Sequence, residues 1–366
     1  MPRPRTDRIF VGLRRGALCI FRLACALLTL SGCAGSDTPF DSLRHNKVGF
    51  RQLELLDTKR DRPLNVNLWY PADTGATEAA APYRFFVAGR VAEDAPFPAG
   101  DTRYPLILVS HGDKGNNYNQ AWLAEVLAAN GYIVAAVDHW LNTSQNNEPE
   151  QTMRLWQRPE DMSFVLDRLL ADPELEMHID AGRVGALGHS SGGYTVLALA
   201  GAIYHPALME SYCAGPQRGP DCDIVAGIDR SKINWSDAEK SYQDSRFSAF
   251  MAMAPAIGPG IDVESLEAIA LPVAIIAARD DEVLPVDMHA ERYARYIESA
   301  ELTLLPAGGH FVFLPQCTAA THLIDYFTEF DICGRNNPVN RLEVQKSLAS
   351  KTLDFLARKL KLPAER

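Results

Sequence analysis

Apolar residues recur in short blocks separated by amphipathic stretches, and the two alternate along most of the chain. Val48–Leu56 and Asn65–Tyr70 read as early strands, followed by a loose Ala-, Gly- and Pro-containing stretch over 71–103. Pro105–Ser110 is a continuous apolar run, the pattern of a strand buried on both faces. Trp122, Leu123, Val126 and Leu127 share one helix face, and Asn130-Gly131 ends that helix. Tyr132–Val137 is the next buried strand. Residues 158–170 then predict a helix, 183–188 a strand, 191–203 a helix and 247–253 a strand. Val273–Ala278 and Leu302–Leu305 complete the strands, and a helix over 339–360 turns Leu342, Leu348, Phe355 and Leu356 inward.

Strands alternating with helices at this spacing predict an α/β fold, with a mostly parallel central sheet covered by helices on both faces. No internal repeat is visible. Residues 205–246 break the alternation. They are polar, hold two cysteines, and read as an insertion over the active site at the top of the sheet.

The composition fits one large domain over 48–366: the 366 residues are 47% hydrophobic and 22% charged. The net charge of −10 understates the acidity of the folded part. The first 32 residues hold six Arg and one Asp; without them 30 Lys and Arg face 45 Asp and Glu, a net charge of −15. Such a surface repels phosphate backbones and excludes a nucleic-acid binder.

The basic start leads into an apolar run, Leu23–Leu30, too short to span a bilayer as a permanent helix. These are the n- and h-regions of a signal peptide over 1–32. Leu30-Ser31-Gly32-Cys33 resembles the bacterial lipobox, which implies a lipid on Cys33, a membrane anchor and a tether over 33–47. Ala34 after the Cys implies, by the same resemblance, an outer-membrane location facing the periplasm. The alternative is a plain signal peptide and a periplasmic or secreted protein.

Cys19 and Cys25 leave with the signal, so four cysteines remain beside Cys33. An even count in an exported chain implies disulfides, and four cysteines allow three connectivities. Cys213–Cys222 with Cys317–Cys333 is the nearest-neighbour pairing and needs the least assumption. Zinc is the rival, but no C-x-x-C spacing or His cluster supports a metal.

Gly188-His189-Ser190-Ser191-Gly192-Gly193 joins a predicted strand to a predicted helix. A nucleophilic serine needs this tight turn so that its hydroxyl projects above the sheet, and the flanking glycines avoid collisions across it. The serine needs a base, and the base an orienting acid. Gly309-His310-Phe311 follows the last strand, and Asp280-Asp281-Glu282 follows strand 273–278. Ser190, Asp281 and His310 are the expected triad. Pro285 four residues on favours Asp281; Asp280 is the alternative, and Glu282 is expected to point the wrong way. Of the other histidines, His111, His139 and His189 sit at strand ends and are expected to hold loops. The oxyanion calls for two backbone N–H groups. Ser191 supplies one, and Asp113, in Ser110-His111-Gly112-Asp113, the other. The Asp113 carboxylate must then point away, toward Lys114.

Leu68-Trp69-Tyr70-Pro71, Ser110-His111-Gly112, Val137-Asp138-His139, Arg158-Pro159-Glu160-Asp161, the Ser190 turn and Gly309-His310-Phe311 together resemble the α/β-hydrolases of the dienelactone-hydrolase-like and platelet-activating-factor-acetylhydrolase-like groups. The similarity covers roughly 48–360. Dienelactone hydrolases use a cysteine where this chain has Ser190, and the acetylhydrolases carry an apolar residue at Asp113. The resemblance implies a serine esterase. It would cleave carboxylic esters, with no metal or organic cofactor, and the polar insertion points to short acyl groups or water-soluble esters. The alternatives are an acetylhydrolase of the phospholipase A2 type acting on short-chain phospholipids, and a non-catalytic envelope lipoprotein on the same fold. The polar insertion lacks the apolar face of a lid that docks on lipid aggregates.

Overall fold

The computed structural model describes residues 40–83, 85–327, 331–336 and 339–360. The expected signal peptide, Cys33 and the first residues of the expected tether lie outside them. Ten strands form one sheet, in the order β10-β9-β8-β7-β5-β6-β2-β1-β4-β3. β1 (Lys47–Asp57) and β2 (Arg62–Ala72) form an antiparallel hairpin paired along their whole length. β2 runs antiparallel to β6 (Ile133–Val137). From there the sheet is parallel through β6, β5 (Tyr104–Ser110), β7 (Ile179–His189), β8 (Phe247–Met253), β9 (Val273–Ala278) and β10 (Ala300–Leu305). The stretch 71–103, expected to be loose, contributes the short edge strands β3 (Ala79–Ala80) and β4 (Arg90–Glu93).

The period of two along each strand explains the layers. On β5, Leu106 and Leu108 enter one core while Ile107 and Val109 enter the other. The first core is closed by α2 (Gln157–Leu170), α4 (Ser191–Ala200) and α8 (Ala290–Tyr296). The second is closed by α1 (Ala121–Ala129) and α10 (Arg341–Lys359), whose Leu348, Phe355 and Leu356 are buried. The shorter helices are α3 (Leu175–His178), α5 (Pro206–Ala214), α6 (Asp221–Ile224), α7 (Val263–Glu267) and α9 (Ala319–Asp325).

One expectation is corrected. Residues 40–46, assigned to the tether, dock on the domain: Phe40 stacks on Trp122, Arg44 pairs with Glu78 and Glu125, and the His45 and Asn46 amides bond the Ala129 carbonyl. The insertion holds the nine-residue helix α5, the short α6 and a 3-10 turn over Arg230–Lys232. Disulfides join Cys213 to Cys222, linking α5 to α6, and Cys317 to Cys333.

Candidate active site

The C-terminal ends of the parallel strands carry the residues of interest, as an open α/β sheet favours. β7 runs into α4 through Ser190, whose φ of +58° and ψ of −119° are a strained conformation for a residue with a side chain. Close packing leaves no room for side chains beside it. A Cβ on Gly188 would lie 2.1 Å from the Gly192 carbonyl oxygen, and one on Gly192 would lie 1.9 Å from that of Ser110. Backbone bonds hold the turn: the Ser190 N–H donates to Met253, and its carbonyl accepts from Tyr194 and Ala256. The Ser190 hydroxyl makes no capping bond to α4, and the residue is half-buried.

His310 follows β10 on a loop clamped by three consecutive acids. Asp280 accepts the Gly308 and Gly309 N–H groups at 3.1 and 3.0 Å. Asp281 Oδ2 lies 2.8 Å from His310 Nδ1, while its Oδ1 accepts the Val283 and Leu284 amides at 2.9 and 2.7 Å. Glu282 accepts the His310 backbone N–H at 3.1 Å, so Asp280 and Glu282 hold the backbone of the loop while Asp281 meets the imidazole. Burial pushes the Asp281 carboxyl up, but the His310 charge and the hydrogen bonds outweigh it, so its pKa falls below the ordinary 3.8. An ionised Asp281 accepts the Nδ1 proton and leaves Nε2 of His310 as the acceptor nitrogen.

His310 is 2% exposed, and its carbonyl accepts from His189 Nε2 at 3.0 Å. Burial and the nearby His310 hold His189 neutral, with a pKa of about 3. The base loop is thereby joined to the residue that precedes Ser190. Trp122 and Gln345 bond the Phe313 and Leu314 carbonyls and pin the other side of that loop.

Gly112 packs against the turn, where a Cβ would lie 3.2 Å from Ser190 Cβ. Asp113, next in sequence, lines a cavity together with Ser190 and Ser191. The backbone N–H groups of Asp113 and Ser191 have no acceptor among the described residues. The Asp113 carboxylate is held by Asn142 Nδ2 at 2.7 Å and Thr152 Oγ1 at 2.9 Å, with Lys114 Nζ 3.8 Å away. Asn142 and Thr152 escaped the sequence reading because both lie in irregular or 3-10 segments without periodicity.

The cavity encloses about 90 Å³ beneath the insertion. Met153, Leu155, Met209, Ile224 and Leu284 supply apolar wall. The insertion therefore turns its apolar residues inward, with Met209, Tyr212, Cys222 and Ile233 buried, while Asp223, Asp237 and Lys240 face solvent.

A second Ser-His-Asp arrangement lies deeper. Ser110 Oγ is 2.8 Å from His139 Nε2, and His139 Nδ1 is 3.0 Å from Asp161 Oδ2. All three residues are fully buried. Arg62 binds Asp161 in a bidentate pair at 2.8 and 2.7 Å, and Arg60 adds a contact at 2.9 Å. His111 accepts the His139 backbone N–H, so both strand-end histidines hold loops. A signal for this ionic core was present in the sequence. Arg158 lies four residues before Met162 and Asp161 four before Val165, on the apolar stripe of α2 that Leu166 and Leu169 continue.

Ferulic acid esterase from Streptomyces cinnamoneus matches with a TM-score of 0.59 at 22% identity, over 87% of this chain and 94% of that one. That likeness and the sheet order establish an α/β-hydrolase fold. In sequence it is similar to Cutinase est1 of Thermobifida alba, 27% identical over 206 residues, which are 56% of this chain and 51% of that protein. Cutinase est2 of the same organism is 33% identical over 106 residues, 28% of this chain and 32% of that one. The chain thus matches about half the length of one relative and about a third of the other. No family model matches it.

Proposed function

We propose that the protein is a serine hydrolase of carboxylic esters, acting on short acyl groups or water-soluble esters. Ser190 attacks the ester carbonyl while His310 Nε2 takes its proton, and Asp281 orients the imidazole and stabilises its charged form. The Asp113 and Ser191 N–H groups hold the oxyanion, the alcohol leaves with the proton from His310, and water then releases the acid from the acyl-serine. The observation that carries this reading is the buried 2.8 Å contact between His310 and Asp281 on a loop bonded to His189, directly before the strained Ser190 turn. The names of the similar proteins, cutinases and a ferulic acid esterase, support ester hydrolysis as the reaction.

The cavity supports the substrate size: about 90 Å³ beside Ser190 admits a small apolar acyl group. Each methylene that found a groove would add about 0.8 kcal/mol of binding. Activity on nitrophenyl esters should therefore peak at roughly two to four carbons, as an enclosed pocket requires. An optimum at eight carbons or more, or a jump above the micellar threshold, would overturn this size class.

The sequence Leu30-Ser31-Gly32-Cys33 supports a lipid anchor on Cys33 and an outer-membrane location facing the periplasm. Cys33→Ser should release the protein from membranes. An unlipidated mature N-terminus in mass spectrometry would contradict the anchor.

A further inference from the structure

Arg158, the second residue of α2, is 2% exposed, at a position where the apolar stripe of the helix would accept Leu or Met. Its guanidinium donates to three neutral acceptors: Nη2 to the His111 carbonyl, Nη1 to Asn142 Oδ1 at 2.5 Å, and Nε to Thr195 Oγ1 at 3.2 Å. No carboxylate lies within ion-pair distance of it among the described residues. A buried cation without a direct counter-ion is expensive to maintain. Burial lowers its pKa to about 10, against the more distant charges of Asp113 and Asp161, so it stays charged at neutral pH.

Each acceptor leads to one part of the proposed oxyanion site. The His111 carbonyl belongs to the loop that presents the Asp113 N–H. Thr195 Oγ1 donates in turn to the Ser191 carbonyl at 2.8 Å, fixing the residue that supplies the other N–H. Asn142, held by Arg158 through Oδ1, donates through Nδ2 to Asp113 Oδ1 at 2.7 Å. That carboxylate is the electrostatic liability of the site, since it is carried by a cavity-lining residue that also presents one of the proposed oxyanion N–H groups. Lys114 Nζ is 3.8 Å from it on a half-exposed side chain, where solvent weakens the pair. Arg158 acts from the dry side, where screening is slight.

We propose that Arg158 is the positioning residue of the oxyanion site, locking the two N–H loops together and offsetting the Asp113 carboxylate through Asn142. The proposal rests on the esterase reading above. Its test is steady-state hydrolysis of nitrophenyl acetate by the full-length protein, normalised to sites titrated with a fluorophosphonate. Arg158→Gln should lower kcat per titrated site about 100-fold, the scale of a lost oxyanion donor, with KM changed less than about twofold. Adding Asp113→Asn should recover about tenfold of that loss, because no carboxylate then needs offsetting. Should Arg158→Gln fail to fold, Thr195→Val and Asn142→Leu break one arm each, and each should lower kcat about tenfold at unchanged KM. Unchanged kcat per titrated site in the folded variants, or no recovery on adding Asp113→Asn, would overturn the role of Arg158 alone. Wild-type protein that neither titrates nor turns over would overturn the esterase reading and this proposal with it.

Discussion

Two histidine-aspartate pairs lie at strand ends, one bonded to Ser110 and one on a loop tied to the residue before Ser190, and their surroundings differ. In one, Ser110, His139 and Asp161 are linked by contacts of 2.8 and 3.0 Å and sealed from solvent. In the other, Asp281 and His310 form a 2.8 Å pair, and the His310 carbonyl accepts from His189, the residue before the half-buried Ser190 with its positive φ. Asp161 is committed to two arginines, whereas Asp281 accepts only backbone amides besides its histidine. His139 is driven down to about 3 by burial and the Arg158 charge, which leaves it a poor proton acceptor. The contrast teaches that hydrogen-bonded geometry does not by itself make a nucleophile. A cavity at the serine and unspent N–H donors are what separate the proposed active site from a brace.

The sharpest way to break the comparison is to remove each serine in turn. Ser190→Ala should lower ester turnover by roughly 10⁴- to 10⁶-fold with the fold intact. Ser110→Ala should leave turnover within a few-fold and cost about 1 kcal/mol of stability in urea titration, the worth of one buried hydrogen bond. Loss of turnover in Ser110→Ala would erase the distinction.

The acids come next. Asp281→Asn should lower kcat roughly 10⁴-fold by disturbing the His310 tautomer. Asp280→Asn, which weakens only the clamp on the Gly308 and Gly309 amides, should cost roughly tenfold through misplacement of the loop. Asp161→Asn should act on stability instead, by about 3–5 kcal/mol, because Arg62 and Arg60 lose a buried counter-ion. Reversed kinetic effects at Asp280 and Asp281 would show that the wrong carboxylate has been given the orienting role.

The smallest effect is in the acid limb of stability. His139 and His189 both have pKa values of about 3 in the folded protein, below the ordinary 6.5. The unfolded chain takes up their protons first, so their contribution is complete above about pH 6.5 and is lost progressively as the pH falls toward 3. Glu125 and Asp138, raised by burial to about 7 and about 6, act in the opposite sense over part of that range. The test is therefore differential: His139→Asn should flatten the loss of stability between pH 6.5 and 4.5 relative to wild type. An unchanged slope would mean that His139 is not held neutral.

The alternation of strands and helices was legible because parallel strands covered on both faces need continuous apolar runs such as Pro105–Ser110 and Ile133–Val137. The Ser190 turn was legible because close packing dictates glycine at 188 and 192. Short edge pairing left no pattern: β3 and β4 are two and four residues long, in a stretch rich in alanine. Polar burial was equally hidden. Arg44 docks through Glu78 and Glu125, partners 34 and 81 residues away in sequence. Arg158 and Asp161 were visible as charged residues on an apolar stripe, but their partners on β2 and in the loops after β5 and β6 are set by tertiary structure alone.

The central claim, that Ser190 and not Ser110 is the nucleophile, is tested most directly by labelling the mature protein with a fluorophosphonate and mapping the modified peptide. The account predicts one adduct, on Ser190, retained in Ser110→Ala and absent from Ser190→Ala. An adduct on Ser110, or labelling that survives Ser190→Ala, would contradict it.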